Sequence, residues 1–465
     1  MLPPLKRLVE RGGRLAVVDP RATPLTQKAD LHLPVLPGTD LCLAMALVHV
    51  AQQEGLVDEA FLAASCDGWE ELSQAARAWT PRRAADVCGL DPAAIEKLAH
   101  LYADGAPSLI RIGWGMERSR NGSEAIRAVL MLPAVFGKFG RRGGGYAMST
   151  SAGYRTNGAG WQGSSTARGI NLSQLGRELE ERRDPPITAV YVYNCNPVAT
   201  VPDQVRLARQ LARPDLFVVV HEQVWTDTCD LADVVLPATT FLEHAELTRS
   251  YGGYVLQWAE PVIAPVGEAR CNHDVLQDLA ARLGSPDPIS ETELAATILG
   301  HIPNAPPLER LTELRAVELP KPVQFVDVRP SRRVQLAPPP RYLPPPVDAD
   351  LPLTLISPAT GVAISSTMYE NERDALLDIH PDDAASRGLV DGQLVRMWNP
   401  RAEVHLRIRV SPQLRPGVVM LPKGLWRRAT RNGWTANALI PDHVDAAGLG
   451  ACYNDARVDV AALSG

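Results

Sequence analysis

Apolar and polar positions along the chain alternate between short continuous apolar runs and stretches with helical spacing. Leu15–Val18 is apolar throughout and ends at Asp19-Pro20-Arg21, the pattern of a buried parallel strand leaving its sheet. Asp40–Gln53 carries Leu41, Met45 and Val48 along one face and predicts a helix, and Leu2–Arg11, Asp58–Ala64, Trp69–Trp79 and Pro92–Ala103 extend a helical layer. A second unit starts near Ala106 with a strand at Ser108–Ile112, a helix at Glu124–Phe139 and a glycine-rich loop. It continues with a strand at Thr188–Tyr193, a helix at Gln204–Leu211 and strands at Leu216–Val220 and Asp233–Leu236. This alternation predicts an α/β protein with doubly wound parallel sheets and helices on both faces. The chain then becomes proline-dense between Pro303 and Asp350, a composition that favours extended polyproline segments and predicts a semi-rigid connector. Beyond it, Leu353–Ile356, Leu394–Trp398, Val404–Val410 and Val418–Leu421 predict strands of a C-terminal β-barrel-like domain. The expected units are residues 1–105, 106–302, the connector 303–350, and 351–465.

Ligands of open parallel sheets bind beyond the carboxyl ends of the strands, so the loops there carry the candidate chemistry. Asp19 and Arg21 follow the first strand: a carboxylate accepts from a guanine N1–H and N2–H₂ edge, and a guanidinium clamps phosphate bidentately. Pro37-Gly38-Thr39-Asp40 adds a second turn and a second acid; the plainer reading of Asp19 and Asp40 is helix capping. Gly113-Trp114-Gly115 and the amides of Asn194 and Asn196 are placed to offer N–H groups to phosphate or a heterocycle from one shared sheet edge. Arg141–Tyr146, RRGGGY, follows a helix and reads as a helix end rather than a phosphate loop. The run from Ser149 to Thr166 reads as a long surface or funnel loop, with two readings for Arg155, Asn157 and Trp161: lining of substrate access, or a mobile insertion.

Composition narrows the classes. A length of 465 residues fits about three domains, and a net charge of −6 gives no general attraction for nucleic acid or an anionic membrane. The longest apolar stretch, around Leu41–Val48, is too short to cross a bilayer, so no membrane insertion is expected. Seven cysteines contain no CxxC pair and form neither a disulfide framework nor a cluster signature. Cys42 reads as core, Cys195 as packing rather than redox chemistry, and Cys271 with His273 lacks the further ligands of a metal site.

Five segments in order, VVDPR with Lys28-Ala29-Asp30 and PGTD, Leu109–Gly122, Tyr193–Pro197 (YNCNP), Trp225–Pro237 (WTDTCDLADVVLP) and Ile379–Val395, resemble the dimethyl sulfoxide reductase family of molybdopterin oxidoreductases. The last segment departs from the family in having His380 where Asn is commoner. The resemblance implies bis(molybdopterin guanine dinucleotide) carrying molybdenum or tungsten, held between two α/β units under the C-terminal barrel. It assigns Asp19, Arg21, Gly38 and Asp40 to one dinucleotide, and Gly113, Trp114, Gly115, Asn194, Asn196, Pro197, Glu222, Thr226, Asp227, Thr228 and Asp233 to the other. Ser366, Thr367 and Asn437 match its barrel elements.

In the family a CxxCxxxC segment for a 4Fe–4S cluster and the protein ligand to the metal lie upstream of DPR. DPR here begins at residue 19, so the catalytic ligand is unassigned and the chain reads as the body of a longer or split enzyme, inactive alone and binding no cluster itself. The expected activity is two-electron oxidation or oxygen- or sulfur-atom transfer on a small molecule. The expected partner is an iron–sulfur electron-transfer subunit or N-terminal segment, and the compartment is cytoplasmic by default, or periplasmic given an export signal. The alternative is a metal-free scaffold related to the large iron–sulfur subunit of respiratory complex I.

Overall fold

The computed structural model describes residues 3–148, 167–250, 253–285, 288–320, 332–345, 349–361, 363–369 and 371–463. The run Ser149–Thr166, and with it Arg155, Asn157 and Trp161, lies outside the described residues. Helix Asp40–Gln53 has ten buried residues and is apolar on nearly every side, so it must be surrounded. Helices Trp69–Ala76, Pro81–Cys88, Pro92–Asp104 and Gly122–Val135 pack around it and close the first core. Two parallel pairs flank this core: Ala16–Val18 with Leu31–Leu33, and Leu109–Arg111 with Gly145–Ala147. The glycines of RRGGGY therefore lead into a strand, with Gly143 and Gly145 at positive φ in the turn.

The sheet expected to run from Ser108 through Thr188 to Leu216 is instead two sheets. Among the described residues Leu109–Arg111 pairs only with Gly145–Ala147, and the helix after it belongs to the first core. The separate parallel sheet orders Ala189–Tyr193, Phe217–Glu222 and Val234–Pro237, over a core made with Leu175–Glu181 and Gln204–Leu211. An antiparallel sheet of Glu246–Arg249, Val255–Ala259 and Ala316–Glu318 packs with helices Glu291–Gly300 and Leu308–Leu314; none of these elements was expected from the sequence.

The proline-dense stretch is also more than a connector. Val334–Gln335 pairs in parallel with Cys66–Asp67, Leu336 is fully buried in the first core, and Tyr342 meets Trp79 edge-on at 5.9 Å. Proline removes ladder donors, but Val334, Leu336 and Tyr342 among the prolines strap the segment to the first unit.

The last unit is a closed barrel of six strands, in the order Leu353–Ile356, Val418–Met420, Leu376–Ile379, Ala402–Val410, Leu394–Asn399 and Ala456–Ala462. Along Ala402–Val410, Val404, Leu406 and Ile408 point inward and Glu403, Arg407 and Arg409 outward, the period-two pattern of a strand with one buried face. Closure needs Leu376–Ile379 and Ala456–Ala462, which the sequence pattern had not marked. No helix among the described residues is long and apolar enough to cross a membrane.

Candidate functional site

The carboxyl edge of the 189–237 sheet carries a linked set of polar side chains. The register pairs Tyr193 with His221 and Glu222 with Pro237, so Asn194, Glu222 and the residues after them leave on one edge. Asn194 turns the chain at φ 52°, a left-handed conformation that Asn tolerates better than most residues. Its Oδ1 accepts from Asn272 Nδ2 at 3.0 Å. Asn196 and Thr228 are buried, and Thr228 Oγ1 donates to Asn196 Oδ1 at 2.7 Å while accepting from the Val198 amide at 3.2 Å. Pro197 opens the short helix Pro197–Thr200 behind them. Thr226 contacts Cys229, and Asp227 accepts the Arg427 amide from the barrel at 2.6 Å. Burial holds the Asp227 and Glu222 carboxyls above their usual range, with Arg427 and Arg428 opposing this at Asp227.

The first unit contributes a second acidic corner. The Asp19 carboxylate accepts the Arg21 amide at 2.8 Å, and its carbonyl contacts His32 Nε2 at 2.9 Å. Arg21 reaches the barrel, with Nη1 3.3 Å from Met420 Sδ, and the Ala22 amide donates to the Gln413 carbonyl at 2.6 Å. Asp40 lies at the first turn of its helix, and burial with the charge of Asp19 raises its carboxyl to about 6. Asp19 is raised too, by burial against the pull of Arg21. Two acids expected at one site are thus close enough to repel each other. Gly38 takes φ 79°, and its carbonyl accepts from Asn121 Nδ2 at 3.1 Å.

Gly113, Trp114 and Gly115 do not leave the same sheet as Asn194. Their loop joins the Gly38 turn through Asn121, while the barrel residue Asn454 donates to the Gly115 carbonyl at 3.2 Å. Tyr453 provides the link to the other loops: its hydroxyl donates to the Thr200 carbonyl at 2.8 Å, and Arg118 stacks 5.2 Å over its ring. The barrel therefore draws together loops that the sheets keep apart. Asn437 donates from Nδ2 to the Ala199 carbonyl at 2.7 Å. Ser366 accepts Trp426 Nε1 on its carbonyl at 2.7 Å, and Thr367 Oγ1 donates back to the Ile364 carbonyl at 2.6 Å. Ser365 and Met368 sit at positive φ in the same loop, which for Met signals a constrained turn.

Asp233 does not join this edge. It precedes its strand, and its carboxylate accepts the Val218 amide at 2.7 Å at the sheet's amino-terminal side. Cys195 packs against the second core, and burial pushes its thiol up, in keeping with the packing reading.

Sequence reasoning missed Ser119, Asn121, Asn272 and Tyr453. Four buried polar atoms at these loops have no hydrogen-bond partner among the described residues: Asn196 Nδ2, Asn437 Oδ1, Asn272 Oδ1 and Ser119 Oγ. A buried polar group left unpaired costs about 1–3 kcal/mol, so these four atoms are open to a polar ligand or water; Gln52, Tyr102 and Arg127 carry further such atoms away from these loops. Around Gly113 and Gly115 a Cβ would meet nothing within 4 Å, leaving open space along the backbone.

Known proteins match over nearly the whole chain. The profile of the family described as molybdopterin oxidoreductase covers residues 4–282, and that of the molydopterin dinucleotide binding domain covers 356–457. A probable oxidoreductase of Bacillus subtilis is 33% identical over 97% of this chain and 71% of its own length. The F420-dependent formate dehydrogenase subunit alpha of Methanocaldococcus jannaschii is 24% identical over 90% of this chain and 68% of its own. In fold, the chain is similar to acetylene hydratase from Pelobacter acetylenicus, with TM-score 0.79 and 21% identity over 99% of this chain and 75% of that one.

Proposed function

This chain belongs to the molybdopterin oxidoreductase family and forms the cofactor-binding body of a molybdenum or tungsten enzyme, within which we propose that the two polar loop sets hold two guanine dinucleotides. Asp19, Arg21, Gly38 and Asp40 take one. Asn194, Asn196, Pro197, Glu222, Thr226, Asp227 and Thr228, with Asn272, take the other. Gly113–Gly115, Ser366, Thr367 and Asn437 lie toward the shared centre. The observation that carries this reading is the set of unpartnered buried amide and hydroxyl atoms on Ser119, Asn196, Asn272 and Asn437, which suits a ligand rich in ring nitrogens, carbonyls and phosphate oxygens.

When bound, the cofactor supplies two-electron redox or atom-transfer chemistry through its metal and dithiolene sulfurs. The protein's part is to orient it. Asp19 and Asp40 accept guanine N–H groups, Arg21 clamps phosphate, and the Asn196–Thr228 pair fixes the amide that faces the second dinucleotide. Asp233 is left out of the set, since it bonds at the other edge. The metal-free scaffold is not favoured, because the similar curated proteins are oxidoreductases.

An iron–sulfur cluster and an electron-transfer partner complete the proposal, in keeping with relatives described as subunits. The test is acid release of nucleotide from protein produced in a host that makes the cofactor, with elemental analysis of the same sample. Guanine nucleotide together with molybdenum or tungsten supports the reading. A protein that carries neither, alone or with its partner, sinks it.

A further inference from the structure

Beside the dinucleotide loops, another group of ligand-type side chains converges where the 443–455 segment of the barrel unit meets the 117–123 loop. Val444 and Ala451 form an antiparallel bridge, so His443 and Cys452, the residues just outside it, come side by side. Asp455 follows three positions after Cys452, giving the spacing His-x8-Cys-x2-Asp. One ligand atom from each of the three lies within 4.8 Å of the others. His443 Nε2 is 2.7 Å from Asp455 Oδ2, and the Cys452 thiol makes a long 3.9 Å contact to the Gly450 carbonyl. Cys452 is buried and the Asp455 side chain is 7% exposed, while the His443 side chain is 34% exposed, which leaves an entry path.

We propose that His443, Cys452 and Asp455 form a zinc site that staples the base of the 443–455 hairpin of the barrel unit, beside the loop carrying Gly113–Asn121. One imidazole nitrogen, one thiolate and one carboxylate oxygen form a zinc donor set, with water completing the tetrahedron. Bond lengths of about 2.0–2.3 Å put the ligand atoms of a tetrahedral site roughly 3.3–3.8 Å apart. The His443–Asp455 contact must therefore open slightly and the wider separations close, within reach of side-chain rotation. Binding releases the Cys452 thiol proton to solvent, and no electrons move.

Arg120 already holds Asp455, through Nε at 2.7 Å and its backbone amide at 3.2 Å. A guanidinium on a ligating carboxylate acts as an outer partner that fixes the oxygen's direction. Zinc with one thiolate and one carboxylate is neutral, so only the charge of Arg120 remains in the cluster. The same segment already grips the loop through Asp445 on the Ser123 amide at 3.1 Å and Asn454 on Gly115. Zinc would fix the hairpin base from which these contacts are made. This inference does not rest on the dinucleotide reading.

The test uses the full chain, stripped with a chelator and titrated with zinc chloride and, separately, cobalt chloride. Equilibrium dialysis should show a single zinc retained per chain at micromolar free metal, and cobalt should give a thiolate-to-metal charge-transfer band. Cys452→Ser should abolish the band, and both Cys452→Ser and His443→Gln should weaken zinc binding at least about tenfold. Should Cys452→Ser fail to fold, His443→Gln on the exposed rim still reports, as does zinc protection of Cys452 from alkylation in the unmutated chain, read by mass spectrometry. No zinc retained at micromolar free metal, or retention unchanged in both variants, overturns the proposal.

Discussion

Asp40 shows how one residue links the fold to its ligand. Its carboxyl is raised to about 6 by burial and by the nearby charge of Asp19. The neutral form fits the fold, so its contribution to stability is present below its ordinary 3.8 and is lost as pH rises through about 6. A guanine edge that donates to the carboxylate reverses the preference, because it favours the charged form. Binding of a guanine nucleotide should therefore tighten as pH rises through about 6 and level off above it. Calorimetric titration with GMP across pH 5–8 checks this: Asp40→Asn should flatten the profile, and an unchanged profile in that variant removes Asp40 from the site.

Single residues were legible where their contacts are local. Asn194 and Asn196 stand directly after an apolar strand, and Thr226 and Thr228 fall in the WTDTCDLADVVLP stretch of the family resemblance, so the sequence marked them. Asn272 and Tyr453 were hidden because their partners, Asn194 and Thr200, are 78 and 253 positions away.

At the scale of elements, the Lys423–Trp426 turn and the Ile364–Met368 loop depend on close backbone approach. Gly424 sits at φ 76°, and a Cβ there would collide with the Ser365 carbonyl oxygen. No flexible side chain absorbs that contact, so Gly424→Ala should move the 364–368 loop and cost about 2 kcal/mol or more from strain and lost packing. Thermal unfolding reads the cost. A second element test lies at the 194–200 loop. Thr228→Val removes the bond to Asn196 and the acceptor of the Val198 amide, leaving buried groups unpaired at about 1–3 kcal/mol. The same variant should lower nucleotide retention, whereas a loss of stability with full retention would make Thr228 purely structural.

Elements with strong local pattern matched the sequence well: Asp40–Gln53, Gln204–Leu211 and Leu353–Ile356 fall where expected. Strand partnership did not follow from pattern. Leu109–Arg111 is a short strand like Ala189–Tyr193, yet contacts distant in sequence, Ile110 on the first core and the pairing with Gly145–Ala147, set which sheet it joins. The strap that begins at Val334 was hidden for a related reason: proline content obscured a stretch whose Leu336 is fully buried.

At the scale of the molecule, the barrel is what holds the two α/β units in register. Asp442, with its side chain 3% exposed, accepts Arg177 Nε at 2.8 Å, and Arg206 approaches it at 3.5 Å, while Arg401 reaches Asp203 at 3.0 Å. Asp442→Ala leaves Arg177 without its buried partner, while Arg206 keeps Asp203 and Glu180, each at 3.3 Å. The expected cost is about 2–4 kcal/mol, toward the lower end of a buried pair because Arg177 is partly screened by water. The unfolding transition should also broaden, as the barrel and the 175–237 unit lose cooperativity; a sharp, unshifted transition would show that the interface is held elsewhere. The most direct test of the central claim counts guanine nucleotides released by acid per chain, from cofactor-loaded protein and from two variants, Asp19→Ala/Asp40→Ala and Asn196→Ala/Thr228→Ala. Two nucleotides should be released from the unaltered protein and one from each variant. Two from both variants would contradict the assignment of the loops.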